Sequence, residues 1–216
     1  MALELDHVFI LVEPGAPVAD LLLAHGFKEG TGNRHPGQGT ANRRFYFANG
    51  MLEFLWVHDA AEAMNGPGRE LRFADRTQSS TASPFGVILL SPDPTNLEMP
   101  FPGWTYQPDY FAPPTAFQVG ANSSDLAQPL CFCAPFIKPR AARSKSADTN
   151  AQVMTQVRIH TPARDHSGVL KVVNQVDRLA VELGHEHLME ITLNGNELDY
   201  RVDFRPDLPL IIHGLS

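Results

Sequence analysis

Apolar residues in this chain come in short runs separated by turn-forming residues. Leu3 to Val12 is the first run, with Asp6 and His7 inside it. Its Val, Ile and Phe content predicts a strand, closed by Pro14, Gly15 and Pro17. Val18, Leu21 and Leu22 then recur at helical spacing, and Gly26 ends the helix predicted over Pro17 to His25. Phe27 opens a short strand, and Thr31 to Ala41 reads as a glycine-rich loop. Strands follow at Arg43 to Ala48 and Met51 to His58, joined by an Asn49-Gly50 turn. The first sixty residues therefore spell β-α-β-β-β.

Beyond a Gly/Pro break at Asn65 to Gly68, a short helix is expected over Arg69 to Arg76, then a strand at Phe85 to Leu90. Residues 91–115 are proline-rich and read as extended surface chain. Thr115 to Gly120 and Leu130 to Ala134 are two further strands. The polar, basic segment 138–150 reads as an exposed linker. Val153 to His160, a helix through Leu170 and Val173, and strands at Leu188 to Leu193, Tyr200 to Phe204 and Leu208 to Ile212 complete the pattern.

The first and last thirds share this plan, and Met51-Leu52-Glu53-Phe54-Leu55 echoes Leu188-Met189-Glu190-Ile191-Thr192. The organisation expected is a first βαβββ module over 1–62, a strand-rich middle segment over 63–137 that can hold a helix-poor module, the linker, and a βαβββ-like module over 151–216.

Composition narrows the function classes. With 216 residues and 43% hydrophobic content the chain can bury a sizeable core. Acidic residues outnumber basic ones, 24 to 17, so no nucleic acid is expected as a partner. The apolar runs are too short for a membrane helix. The opening Leu3-Glu4-Leu5-Asp6 lacks a secretory pattern, and two cysteines make no disulfide framework. A cytoplasmic location is the expectation.

Three stretches carry a resemblance: Leu5-Asp6-His7-Val8, the segment Arg34-His35-Pro36-Gly37-Gln38-Gly39-Thr40-Ala41-Asn42-Arg43, and Met51-Leu52-Glu53-Phe54-Leu55. The closing Asp203 to Leu210 adds to it. The chain resembles glyoxalase-like proteins of the vicinal oxygen chelate superfamily. The resemblance implies an α+β fold in which repeated βαβββ modules form curved, mostly antiparallel sheets around a cupped site. It also implies a small-molecule lyase, isomerase or dioxygenase using a divalent metal ion (Zn, Fe, Mn or Ni), or a metal-free binding protein of the same fold. A homodimer is the assembly it suggests.

His7 and Glu53 match the metal-ligand positions of the first module in that family. Strand parity agrees: His7 shares a face with Leu5, Phe9 and Leu11, and Glu53 with Met51, Leu55 and Val57. A carboxylate in an apolar cup is costly unless a cation meets it, so Glu53 is the candidate catalytic residue as well as a candidate ligand. For the second half, Gln156 and Glu190 are the candidate ligands if the last third pairs with the first. If the middle third is the partner, the matching positions fall near Gly86 and Cys131, which lack suitable donors. Arg34, His35, Asn42 and Tyr46 are candidate substrate-binding residues, Arg34 because its fork suits a carboxylate or phosphate.

Overall fold

The computed structural model describes residues 3–91, 93, 98–137 and 149–216. Two sheets carry the fold. The first has eight strands: β1 (Glu4–Leu11), β2 (Arg34–His35), β3 (Thr40–Tyr46), β4 (Met51–Val57), β5 (Phe85–Leu90), β6 (Gly103–Tyr106), β7 (Phe117–Gly120) and β8 (Leu130–Cys133), in the order β2-β3-β4-β1-β5-β8-β7-β6. β1 runs parallel to β4, and β5 parallel to β8, while β1 and β5 meet antiparallel at the centre. The middle third thus supplies the partner strands of the first third. Between β5 and β8 the described residues hold a 3-10 turn, Ala121–Ser124, in place of a full helix.

The second sheet has five strands: β9 (Val153–Thr161), β10 (Leu179–Leu183), β11 (Leu188–Asn194), β12 (Tyr200–Asp203) and β13 (Leu210–Leu215), in the order β10-β9-β11-β13-β12. Four short helices complete the chain: α1 (Ala19–Ala24), α2 (Ala60–Asn65), α3 (Phe73–Gln78) and α4 (Val169–Val173). None of the described helices is long and apolar enough to cross a membrane. The fold is α+β with curved, largely antiparallel sheet in the first unit.

One apolar cluster joins the two sheets. Val8, Ile10, Leu52 and Phe54 from the first sheet pack with Leu22 of α1 and with Val157, Ile159, Ile191 and Ile212 of the second. The sheets are therefore back to back, and the opposite face of the first sheet is free to form a cup. Phe9, Leu55, Phe73, Ile88 and Phe132 make a second, separate cluster there. Arg178 also ties the sheets, donating to the Met154 carbonyl (2.8 Å) and the Leu5 carbonyl (3.3 Å).

Several predicted elements move. The strand expected at Phe27 is instead irregular chain, and β2 lies inside the expected glycine loop, where Arg34 and His35 pair with Ala41 and Thr40. β6 occupies the proline-rich stretch, because Gly103 to Tyr106 contains no proline and pairs with β7. α2 starts at Asp59, whose side chain accepts from the Glu62 backbone N–H at 3.0 Å, and β10 forms by pairing parallel to β9. Gly26 does take the left-handed backbone region expected of a helix-ending glycine (φ 83°). Of the expected linker, only residues 149 and 150 are described. Asn150 is bound to Tyr46 and Lys28 backbone groups.

Arg76 organises the turn before β8. It is buried, and its terminal nitrogens donate to the carbonyls of Ser83, Ser123, Asp125, Leu126 and Gln128 at 2.8–3.4 Å. Burial and the neighbouring Arg72 pull its pKa down to about 10, so it stays charged at neutral pH.

Candidate functional site

The cup is a cavity of about 330 Å³. Its floor is built where β1 runs beside β4 and β5. Phe9 is level with Glu53, His7 is level with Ile88, and Ile88 is level with Phe132. A register shift between Leu5 and His7 interrupts the alternation of β1. Leu5 consequently joins the core between the sheets, contrary to the expected shared face with His7, while Phe9 and Leu11 face the cup cluster. The same irregularity lets Asp6, a sequence neighbour, reach the His7 ring.

That contact defines the floor. His7 Nδ1 is 2.6 Å from Asp6 Oδ2, and His7 Nε2 is 3.4 Å from Glu53 Oε2. Asn42 donates its side-chain amide to Glu53 Oε1. The Asn42 carbonyl oxygen in turn accepts from the Asn33 backbone N–H at 2.6 Å, which fixes its orientation. Asp6, Asn42 and Glu53 are all buried. Burial alone lowers the His7 pKa, but hydrogen bonds to Asp6 and Glu53 and the charges on both reverse this, and the net pKa is raised. Glu53 is the converse: burial raises its pKa, and His7, His35 and Asn42 together bring it below the ordinary value. At neutral pH the floor holds a carboxylate facing a histidine that favours the charged form.

His35 stands on the wall. Its Nδ1 is 2.9 Å from Thr40 Oγ1, and Gln38 donates to the same hydroxyl at 2.7 Å. Together these bonds fix the orientation of the His35 ring. Burial lowers its pKa and outweighs the opposing charge of Glu53, with smaller lowering contributions from Arg44 and His7, so His35 favours the neutral form where His7 favours the charged one. Tyr110 donates to Gln38 Oε1 (3.1 Å) and lies against His35 with ring centres 5.3 Å apart. Phe73, Phe111, Phe117 and Phe132 supply an apolar wall, and Arg34 and Arg44 also border the cavity.

Of the residues expected at the site, His7, Arg34, His35, Asn42 and Glu53 all line this cavity. Tyr46 does not. Its ring lies under Arg44, whose guanidinium carbon is 5.5 Å from the ring centre. Gln156 and Glu190 do not line it either, because β9 and β11 belong to the other sheet. Glu190 instead meets two imidazoles, His160 Nε2 at 2.9 Å from one oxygen and His213 Nε2 at 3.0 Å from the other. The partner-module positions facing His7 and Glu53 are Ile88 and Phe132, not Gly86 and Cys131. Cys131 points into the core between the sheets.

A divalent ion can be tested against this donor set. His7 Nε2 and Glu53 Oε2 would form one edge of a coordination sphere. The remaining Glu53 oxygen is taken by Asn42, β5 and β8 present Ile88 and Phe132, and His35 on β2 is the other imidazole lining the cavity. Catalytic zinc sites use three protein ligands, and among the described residues no group of three His, Cys, Asp or Glu side chains is placed to hold a metal. The floor thus offers such an ion two converging donors, His7 Nε2 and Glu53 Oε2.

Asp6, Gln38, Tyr110 and the phenylalanine wall were not among the expected site residues. Asp6 sits next to His7, yet strand parity sends such neighbours to opposite faces, so only the register shift reveals it. Tyr110 and Phe111 lie in the proline-rich segment, which carries no period. A larger cavity, about 660 Å³, opens between α1, residues 76–84 and the turn at 207–209. Its lining holds no histidine among the described residues, and its Arg76 is engaged with backbone carbonyls.

Gly86 sets the shape of the floor. It is level with Phe9, and a methyl group there would overlap the Phe9 ring. Gly86→Ala is expected to push that ring into the cavity, weakening ligand binding more than tenfold and costing about 1–3 kcal/mol of stability. Titration of the variant beside its thermal unfolding checks this; unaltered affinity would show that Phe9 does not shape the ligand space.

Comparison with known proteins agrees with the geometry. No curated protein matches the chain. Among solved structures, a hypothetical protein from Staphylococcus aureus superposes with TM-score 0.63 at 13% identity, covering 99% of each chain. At that identity the likeness concerns the fold alone. A family model described as a glyoxalase-like domain matches residues 5–115. Those residues include the cavity's His7, Arg34, His35, Asn42 and Glu53, and the chain belongs to the glyoxalase-like domain family, of vicinal oxygen chelate fold.

Proposed function

We propose that this chain is an acid–base enzyme of the isomerase or lyase kind, acting on a small aromatic carbonyl compound held in the cup. The observation that carries the reading is a histidine clamped between two buried carboxylates at the floor of a cavity with a broad aromatic wall. Glu53, held as the anion, takes a proton from the carbon beside the carbonyl. His7, held as the cation, gives its Nε2 proton to the carbonyl oxygen as the enol forms. Asp6 keeps the His7 ring in place through Nδ1. Glu53 returns a proton to that carbon while His7 recovers the oxygen-bound proton, which regenerates the carbonyl compound and both groups; where the deprotonated carbon also bears a hydroxyl, the intermediate is an enediol, and protonation of the former carbonyl carbon with loss of the hydroxyl proton moves the carbonyl to its neighbour. No step requires a metal ion.

The test is solvent-deuterium exchange into phenylacetone, a neutral aryl ketone, followed by NMR. Incorporation at the carbon beside the carbonyl, above the buffer rate, is the expected result. A second reading, a metal-free binding protein, is favoured by the engagement of both Glu53 oxygens, which lowers the basicity of that carboxylate. It predicts ligand affinity without exchange. Stoichiometric metal in purified protein that is lost in His7→Gln would overturn both readings.

The charges also set a pH dependence. Because the folded pKa of His7 is raised, its stabilising contribution is complete below the ordinary value of 6.5 and disappears as pH climbs through the folded value. Glu53, with a depressed folded pKa, contributes fully above 4.5 and loses that contribution as pH falls through the folded value. Both contributions operate together between 4.5 and 6.5. The margin in thermal midpoint of the wild type over His7→Gln is expected to be widest in that window and to narrow toward about pH 9. A margin that widens with pH would show that His7 is neutral in the fold.

A further inference from the structure

We infer that the ligand of the cup is an anion, a small aromatic carboxylic acid. Its carboxylate is taken by Arg44 and Arg34, and its ring lies against Phe9, Phe117 and Phe132. The inference rests on the proposed use of the cup as the ligand site, and it names the charge and orientation of what binds there.

The starting point is an ion pair that does not form. Arg44 on β3 and Glu53 on β4 are directly opposite in an antiparallel pair, and both line the cavity. Opposite charges in that relation ordinarily meet. Here Glu53 is held by Asn42 and His7. Arg44 donates through Nε to the Thr31 carbonyl at 2.7 Å and rests over Tyr46. Its two terminal nitrogens meet no carboxylate among the described residues. Arg34, one strand further out on β2, is exposed and likewise without an acidic partner among the described residues. Arg43 makes the contrast, since it is paired with both Asp20 (2.8 Å) and Glu29 (2.6 Å).

Two guanidinium groups therefore border a cavity that also has a broad aromatic wall, and among the described residues its one lining acid, Glu53, is already engaged by His7 and Asn42. A guanidinium is weakly hydrated and its planar fork matches a carboxylate through two parallel hydrogen bonds. Charge also fixes the direction of the ligand. An anionic group at the floor would meet Glu53, so it belongs beside the arginines, which sends the ring toward the phenylalanine wall and the chain between them past the His7–Glu53 pair. A cavity of about 330 Å³ accommodates one ring with a short side chain.

The experiment compares 3-phenylpropanoate with its uncharged amide, 3-phenylpropanamide, by calorimetric titration of the full chain. The acid is expected to bind about tenfold more tightly than the amide, and added salt should weaken the acid alone. Arg44→Gln should remove most of that preference by weakening the acid far more than the amide, and Arg34→Gln should reduce it further. Equal affinities for acid and amide, or a preference that survives in the double variant, would overturn the inference. If the amide binds, is lost in Phe132→Ala, and is matched by the acid, the cup remains a ligand site and only the anion assignment falls. If neither compound binds at millimolar concentration, the ligand-site reading falls, and the anion assignment with it.

Discussion

Replacing Glu53 by glutamine is expected to lower proton exchange on the aryl ketone by at least about a hundredfold, with the fold retained. The structure explains why the two effects separate. Glu53 Oε1 accepts from Asn42, and Oε2 faces His7 Nε2. A glutamine in the same rotamer keeps an oxygen for Asn42 and turns an N–H toward His7. With its Nδ1 proton still given to Asp6, a neutral His7 can accept that bond at Nε2. The local hydrogen bonding survives, but the base and the charged partner of His7 are gone together. Stability near neutral pH is expected to change by no more than about 1 kcal/mol. Circular dichroism and thermal unfolding, measured on the same protein as the exchange rate, check both halves. Exchange within a few-fold of the wild type would mean that another group carries the proton.

Arg76→Ala gives the largest expected loss of stability, at least about 3 kcal/mol, because five backbone carbonyls are left without their donor in a buried turn. For a chain of this length that corresponds to roughly 6–12 °C in the thermal midpoint. Lysine cannot replace the guanidinium, since three donors on one nitrogen do not span five acceptors, so Arg76→Lys should recover only part of the loss. Arg76 does not line the smaller cavity. Ligand affinity of the remaining folded protein should therefore match the wild type. A loss of affinity with little loss of stability would instead place Arg76 in the function of the cup.

Much of the first unit was legible in the sequence because local chemistry determined it. The β1, β4 and β5 strands follow from short Val, Ile, Leu and Phe runs, and α1 from helical spacing ended by Gly26. Parity alone put Glu53 on a face with Met51 and Leu55, and all three do line the cavity. His7, Arg34, His35 and Asn42 were legible in the same way, as polar residues interrupting apolar or glycine-rich stretches.

What the tertiary structure decided depends on contacts between residues far apart in the chain. Sheet membership is the main case. The echo between Met51–Leu55 and the segment around Glu190 is genuine at the level of strand pattern, since both segments are central strands. Which strands share a sheet, however, is settled by register and by the burial of one face, and that burial sets the two sheets back to back. Glu190 therefore meets His160 and His213 and never approaches His7. The register shift in β1 is a second case. A strand read from its sequence alternates without fault, which puts Leu5 on the His7 face, whereas the register shift in the pairing with β5 sends Leu5 to the core between the sheets. Arg44 is the third. Its sequence position predicts a neighbour of Asn42, but whether its charge is neutralised by Glu53 depends on competition from His7 and Asn42, whose side chains reach that carboxylate from other strands and from the same one. Side-chain type and local period are properties of the chain itself, whereas pairing, register and charge balance arise only when distant segments exclude water from one another.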